Sequence, residues 1–284
     1  MGVAVAQALG DMEIVTADSM QVYRGMDIGT AKPGAGERGG IPHHLLDIAG
    51  PEEEWDVSRF LAEARAVVAG IEARGHRALF VGGTGLYMHA LVDSYAVPGR
   101  WPEVVASLAG LGTGELFGRL SELDPQAAAK VDPANRRRLL RALEVTMGSG
   151  RPFSSYGPGV GAFASTGWQL AGLWLPRQVV AARIESRFHC MMQAGFLDEV
   201  QALACRREGL SRTARQALGY RELLSHLEEG RPLAEAVAEA VARTRRFARR
   251  QRMWWRRDPR VRWFGAPRNP MAVLPALLGE WAHD

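Results

Sequence analysis

Lysine is almost missing from this chain. Of its 35 basic residues two, Lys32 and Lys130, are lysine and 33 are arginine. Neither lysine follows a glycine, so no G-x-x-x-x-G-K-[ST] phosphate loop can be read anywhere in the 284 residues. Cysteine is as scarce. Cys190 and Cys205 stand far apart, which matches no metal-ligand spacing and predicts two free thiols in a reducing cytoplasm. No apolar run approaches the roughly 20 residues of a membrane helix. No charged stretch leading into a long apolar one marks a secretory signal.

What is present reads as globular and basic. The length suits one large or two small domains, the hydrophobic content of 47% is ordinary, and the net charge is +4. The distribution of charge tells more than the total. Arg243, Arg245, Arg246, Arg249, Arg250, Arg252, Arg256, Arg257, Arg260 and Arg262 form one dense cluster, and Arg136, Arg137, Arg138 and Arg141 a second. A mixed-sign helix face is usually just solvated. The first cluster is nearly single-sign and carries Trp254 and Trp255, and arginines interleaved with aromatics suit phosphate contacts plus base stacking.

Short apolar runs bounded by turn signals predict strands at about 12–17, 78–82, 171–175 and 261–264. A helix is expected at 56–74, capped from Asp56 to Ser58, with Leu61, Ala64, Val68 and Ile71 on one face. Strands separated by helices imply an α/β fold with a parallel sheet. From 100 to 165 the strand signal vanishes in favour of short helices, with Gly- and Pro-rich edges at 149–163. Further helices are expected at 177–204, 215–228 and 233–256.

The stretch from Thr16 to Pro33 carries the chemistry, with Asp18, Ser19 and Gln21 at the exit of the first strand. Open α/β sheets place reactive groups at the carboxyl ends of strands, although an Asp-Ser pair is equally a helix cap. Val81-Gly82-Gly83-Thr84-Gly85-Leu86-Tyr87 follows the second strand. Its glycines let a backbone approach a ligand, or merely turn the chain into a helix. In Pro42-His43-His44-Leu45-Leu46-Asp47 the adjacent histidines point to different sides, which favours structural roles over one shared metal ion. Arg183 and Arg187 lie four apart on one helix face. They form either a guanidinium fork for a diphosphate or a solvated face with Glu185 as partner. Gly219-Tyr220-Arg221 is either a cap with a packed ring, or a stacking and charged contact for an RNA loop.

Taken together these strings resemble the tRNA dimethylallyltransferases, also called tRNA isopentenyltransferases, and the likeness runs from about residue 3 to 265. The family pattern D-S-x-Q-x-Y-x-G-M-D-I-G-T-A-K-P is met from Asp18 to Pro33, and V-G-G-T-x-L-Y from Val81 to Tyr87. R-x-x-R-A-L-E-V is met from Arg138 to Val145, and [KR]-R-Q-x-x-W-x-[RK] from Arg249 to Arg256. A-I-G-Y-[KR]-E is met from Ala217 to Glu222 with Leu218 in place of Ile. The family's R-I/V-x-x-R/M-F with its M-x-x-x-G-[LF]-x-x-E tail is met by Arg183 to Phe188, Met191 and Gly195 to Glu199. One tRNA-contacting Arg of the family has no counterpart near Val105, where Arg100 is the nearest substitute.

The resemblance implies a P-loop NTPase-like parallel sheet with helices on both faces, a core of 1–99 and 166–284, and an inserted helical tRNA-binding lobe at 100–165. It implies transfer of a dimethylallyl group from dimethylallyl diphosphate to N6 of the adenosine just 3′ of the anticodon, by a cytoplasmic monomer using Mg²⁺. Asp18 would be the general base and Thr84 would lie near the target base. Ser19, Met20, Gln21, Arg137, Arg138, Arg141, Gln216, Gly219, Tyr220, Arg221, Arg249, Arg250, Gln251, Trp254 and Arg256 would contact the tRNA anticodon stem-loop. Arg183 and Arg187 would hold the diphosphate. The family's G-P-T-x-x-G-K-[ST] loop is not found, and residues 1–10 resemble the second half of the helix that follows it. The expectation is that these 284 residues alone do not transfer. The rival readings are a non-catalytic tRNA-binding relic and a P-loop nucleotide kinase. The kinase leaves the Arg/Trp tail without a role.

Overall fold

The computed structural model describes residues 1–157 and 161–281. It divides into two compact units, one of Met1–Met88 with Gly167–Asp284, the other of His89–Thr166. The chain runs α1 (Gly2–Leu9), β1 (Met12–Thr16), β2 (His43–His44), α2 (Val57–Glu72), β3 (Arg77–Val81) and α3 (Gly85–Val92). Then come α4 (Pro102–Leu108), α5 (Thr113–Leu123), α6 (Pro125–Ala128), α7 (Arg136–Ser149), β4 (Leu170–Trp174) and α8 (Arg177–Gln193). The chain continues through α9 (Phe196–Ala204), α10 (Arg212–Arg215), α11 (Tyr220–Glu229), α12 (Leu233–Trp255), β5 (Val261–Gly265) and α13 (Leu274–Trp281).

All strand pairing in the named sheets is parallel, as β-strands alternating with helices require. The strands form a three-stranded sheet ordered β2-β1-β3 and a two-stranded sheet β4-β5. In the first sheet Ile14 pairs with Leu79 and Thr16 with Val81, so β1 and β3 end side by side. The core around that sheet takes Val5, Ala6, Ile14, Leu79 and Leu277. The other unit is helical and packs Leu108, Leu116, Leu120, Leu139 and Leu143 into its own core. Among the described residues no helix is long and apolar enough to cross a membrane.

Two of the expected helices are broken. Residues 177–204 form α8 and α9 because Gly195 takes φ 93°, a left-handed conformation that interrupts the helix. The 215–228 helix begins late: α10 ends at Arg215, residues 216–219 form a turn, and Gly219, φ 86°, leads into α11 at Tyr220. Part of the Gly- and Pro-rich edge at 149–163, residues 158–160, lies outside the described residues.

The histidine pair serves the fold. Buried Glu13 on β1 accepts from His44 Nε2 at 2.6 Å, His76 Nδ1 at 2.9 Å, and Arg74 Nε and Nη2 at 3.0 and 2.8 Å. His43 Nδ1 bonds the Ile41 carbonyl instead. The Arg74 guanidinium, helped by both imidazoles, pulls the Glu13 carboxyl down to about 2. A depressed carboxylate stabilises the fold above its unfolded pKa and ceases to do so as pH falls through the folded value. Screening at half-exposed Arg74 discounts the effect, leaving roughly 2–3 kcal/mol lost between about pH 5 and pH 2. Denaturant titrations at pH 7, 4 and 3 check this, and Glu13→Gln should remove that share of the pH dependence.

Candidate active site

The exits of β1 and β3 are held together by a glycine. The Ala17 amide continues the ladder to the Val81 carbonyl at 2.9 Å. A Cβ on Gly82 would sit 2.5 Å from the Ala17 carbonyl carbon, so only glycine permits this approach. The consequence is that Asp18 and Thr84 become neighbours, because Thr84 Oγ1 accepts from the Ser19 amide at 3.4 Å. No helix follows Asp18, which settles the capping alternative. Its Oδ1 instead accepts from the Met20 amide two residues on, at 2.9 Å, in a local turn. Burial pushes the Asp18 carboxyl up, against the opposing pull of the Met20 and Gln21 amides.

The C-terminal end of α12 lies against the same glycine loop. Gln251 Nε2 donates to the Gly83 carbonyl at 2.9 Å. A Cβ on Gly85 would meet Trp254 Nε1 at 2.4 Å, so the indole rests directly on the backbone that opens α3. Thus Asp18, Thr84, Gln251 and Trp254, read from three distant strings, belong to one constellation.

The loop from Asp18 to Pro33 is fastened at two further points. Gln21 Nε2 donates to the Thr30 and Ala31 carbonyls at 3.1 and 3.4 Å. Buried Lys32 Nζ reaches the Tyr23 carbonyl, Asp27 Oδ1 and Asp47 Oδ1, each at 2.6 Å. Farther along, Glu199 on α9 accepts from the amides of Asp27, Ile28 and Gly29 at 2.9, 2.7 and 3.2 Å. It also takes the Tyr220 hydroxyl at 2.5 Å. Gly29 lies so close to the Phe196 and Tyr220 rings that a Cβ would stand 2.1 and 2.5 Å from them. The spacing alone assigns no role to Glu199 or Lys32. Their only signal in the sequence is that each lies at or next to the end of a quoted motif.

This arrangement corrects the reading of Tyr220 as an RNA-stacking ring. The ring is fully buried, edge-on to Phe196 at 5.0 Å, and burial together with Glu199 pushes its hydroxyl pKa up. Its neighbours differ: Arg221 is exposed on α11, and Gln216 ends α10. Both line a groove of about 730 Å³ together with Arg212, Arg215 and Arg231, and neither Asp18 nor Thr84 belongs to it. Gly219 donates its amide to buried Glu222, which is paired with Arg243.

Arg141 on α7 is also turned inward, against the expectation for it. Its guanidinium donates to the Gly99 and Pro98 carbonyls and pairs with Glu144 at 2.9 Å. Arg137 and Arg138 remain exposed on the same helix. Arg100 lies 3.6 Å from Glu144. The C-terminal arginine cluster is less single-sign than its sequence: Arg243, Arg245, Arg260 and Arg262 each hold a carboxylate, from Glu222, Glu185, Asp258 and Glu280. Arg249, Arg250 and Arg256 stay exposed. With Glu185 taken by Arg245, exposed Arg183 and Arg187 of α8 have no carboxylate partner among the described residues.

Residues 21–258 match the family described as IPP transferase. The tRNA dimethylallyltransferase of Kineococcus radiotolerans is 49% identical over 262 residues, covering 90% of this chain and 81% of the relative. That of Streptomyces avermitilis is 45% identical over 283 residues, covering 98% and 89%. The crystal structure of the Bacillus halodurans tRNA isopentenylpyrophosphate transferase superposes with a TM-score of 0.71 at 34% identity, covering 99% of this chain and 91% of that one. The parallel α/β sheet and its likeness to solved tRNA isopentenylpyrophosphate transferases make the fold P-loop NTPase-like. Within that class the chain belongs to the tRNA dimethylallyltransferase family.

Proposed function

We propose that this chain moves the dimethylallyl group of dimethylallyl diphosphate onto N6 of the adenosine immediately 3′ of the anticodon, acting as a cytoplasmic monomer on the anticodon stem-loop of tRNA. The observation that carries the reading is the meeting of Asp18 and Thr84 at one strand end. An exocyclic adenine amine is a weak nucleophile. As its nitrogen bonds to the allylic carbon, the C–O bond to the diphosphate breaks and the electron pair leaves with the diphosphate. The N6 proton must go to a base at that moment. Asp18 is the base, and a carboxylate raised by burial accepts a proton better than an ordinary one. The Thr84 hydroxyl, which receives the Ser19 amide, orients the adenine beside it. The adenosine has to leave its stack to reach this strand end.

Arg183 and Arg187 bind the diphosphate. Ser19, Met20 and Gln21 border the base, while Arg137, Arg138, Gln216, Arg221, Arg249, Arg250 and Arg256 follow the RNA backbone. Among the described residues no three His, Cys, Asp or Glu side chains gather as a metal cage. Mg²⁺ would accompany the diphosphate, whose charge it would offset when bound there. The exposed, unpaired Cys190 and Cys205 support the cytoplasmic assignment.

The test is label transfer from dimethylallyl diphosphate to an anticodon stem-loop carrying that adenosine, with N6,N6-dimethyladenosine as the blocked control. It is run on these residues alone and with a G-P-T-x-x-G-K-[ST] segment supplied upstream. Binding without transfer in both formats would leave a tRNA-binding relic. Removing charge by Arg250→Gln with Arg256→Gln should weaken stem-loop binding and lower its log–log salt slope by about 0.7–0.9 for each phosphate no longer neutralised. An unchanged slope would mean that these side chains face solvent.

A further inference from the structure

We infer that Lys32 is a positioning residue for the transfer, a buried clamp whose ammonium fixes the turn that holds Asp18. This rests on the reaction proposed above, which leaves Lys32 without a role. Of the 35 basic residues 33 are arginine, and residue 32 is a place where an arginine would not serve. The Lys32 side chain is 4% exposed. An ammonium is a compact charge with three donors, whereas a guanidinium is a planar fork. Three oxygens converge on Nζ, the Tyr23 carbonyl, Asp27 Oδ1 and Asp47 Oδ1, each at 2.6 Å. All three donors are thereby engaged. Lys32 has none left for a diphosphate or an RNA phosphate, so whatever it does for the reaction it does through these partners.

One partner leads to the reacting group. The Tyr23 amide donates to the Met20 carbonyl at 3.3 Å, and the Met20 amide donates to Asp18 Oδ1 at 2.9 Å. Three successive hydrogen bonds thus run from the ammonium to the carboxylate. Asp47 joins the same turn to the segment after β2. Its amide donates to the Gln21 carbonyl at 3.4 Å, and its carbonyl accepts from Arg24 Nη1 at 3.1 Å.

The backbone around the clamp is strained. Ala31, Leu45 and Asp47 take φ of 50°, 63° and 57°, a left-handed region that residues with a side chain disfavour. Such residues persist only where their surroundings over-determine them, and they gather at sites whose geometry must be fixed. Ala31 precedes Lys32, and Gln21 Nε2 takes its carbonyl together with that of Thr30. Without the ammonium Asp27 and Asp47 lose their common cation, the strained residues relax, and the turn at residues 20–23 drifts with Asp18. The Met20 and Gln21 amides pull the Asp18 carboxyl down against the burial that pushes it up, so a looser turn lets it rise. Tyr87 on α3 also feels the Asp18 charge, but burial, with Asp56, Tyr23 and Asp18, keeps its hydroxyl neutral.

The experiment joins an NMR titration of the Asp18 carboxyl carbon, made on the intact chain without substrate, to the transfer kinetics. Lys32→Met keeps the length and removes the charge. Lys32→Arg keeps the charge and puts a planar fork where three oxygens meet one point. In both variants the Asp18 titration should move to higher pH. In both, kcat should fall by roughly tenfold to a hundredfold, the cost of displacing a reacting group by up to 1 Å. KM for dimethylallyl diphosphate should hold, since Lys32 has no donor for it. A merely structural staple would lower Tm and leave the titration, and kcat well below Tm, where they are. If Lys32→Met does not fold by thermal melting, Lys32→Met with Asp47→Asn carries the measurement, because the remaining carboxylate, Asp27, is exposed and hydrated. An Asp18 titration unmoved in these variants overturns the inference, as does an unchanged kcat in a chain that transfers. So does wild-type behaviour of Lys32→Arg, which would make charge the cause and not geometry. A chain that never transfers while its Asp18 titration moves with Lys32 defeats the proposed reaction and keeps Lys32 as the holder of Asp18. A transferring chain whose variants titrate and turn over normally defeats the clamp alone.

Discussion

Asp18→Asn is expected to slow dimethylallyl transfer by roughly a thousandfold, within the 10²–10⁴ that a positioned proton acceptor contributes, while stem-loop binding holds. Asparagine suits the test because its side-chain oxygen still accepts from the Met20 amide, as Asp18 does at 2.9 Å. The local turn survives and only the capacity to take a proton is lost. The pH profile adds a second readout. A base must be ionised, so the rate rises with pH through the Asp18 pKa, which burial holds above that of an ordinary aspartate. The acid limb of the wild-type profile should sit correspondingly high, and it should vanish in Asp18→Asn. A variant that transfers at near-normal rate with an intact acid limb would remove Asp18 from the reaction.

The parallel sheet was legible because its signal is local. Four short apolar runs between turn residues lead to Met12–Thr16, Arg77–Val81, Leu170–Trp174 and Val261–Gly265 within a residue or two. The two-residue strand His43–His44 was not, because its pairing with Ile14 and Val15 is a tertiary contact with no pattern of its own. Helix continuity failed at Gly195 and Gly219 for a related reason. Periodicity runs through both, and the positive φ each adopts breaks it.

At the site, residue types carried the reading and partners did not. Asp18 and Thr84 are recognisable as strand-end groups, but their meeting depends on Gly82 admitting the Ala17 backbone, which no spacing reveals. Charge counting misjudged the arginines, since Arg141, Arg243 and Arg245 are neutralised by acids distant in sequence or hidden in the same helix. Tyr220 misled for the opposite reason. A tyrosine beside an exposed arginine invites an RNA contact, yet the ring is buried and its hydroxyl donates to the Glu199 carboxylate.

That carboxylate supports the second large effect. Glu199→Ala is expected to lower stability by roughly 3 kcal/mol, the cost of leaving several donors of a half-buried network without their acceptor. Three backbone amides, of Asp27, Ile28 and Gly29, would lose their acceptor, and the Tyr220 hydroxyl would be stranded in the core. The Phe196 and Tyr220 rings close on Gly29, which keeps the loop from shifting to find another acceptor. For a unit of this size the loss corresponds to a fall in Tm of about 10 °C. Glu199→Gln retains one acceptor oxygen and should lose about half as much, and Tyr220→Phe, which leaves the three amides bound, about 1–2 kcal/mol. Because Glu199 and Tyr220 share one bond, their double variant should be less destabilised than the sum of the singles. The loop they pin begins at Asp18, the proposed base, so slower transfer should accompany the weaker fold even at temperatures where the protein remains native. A Glu199→Ala melt within about 2 °C of the unaltered chain would show that the carboxylate does not hold this loop, and that the packing of Gly29 against the two rings suffices.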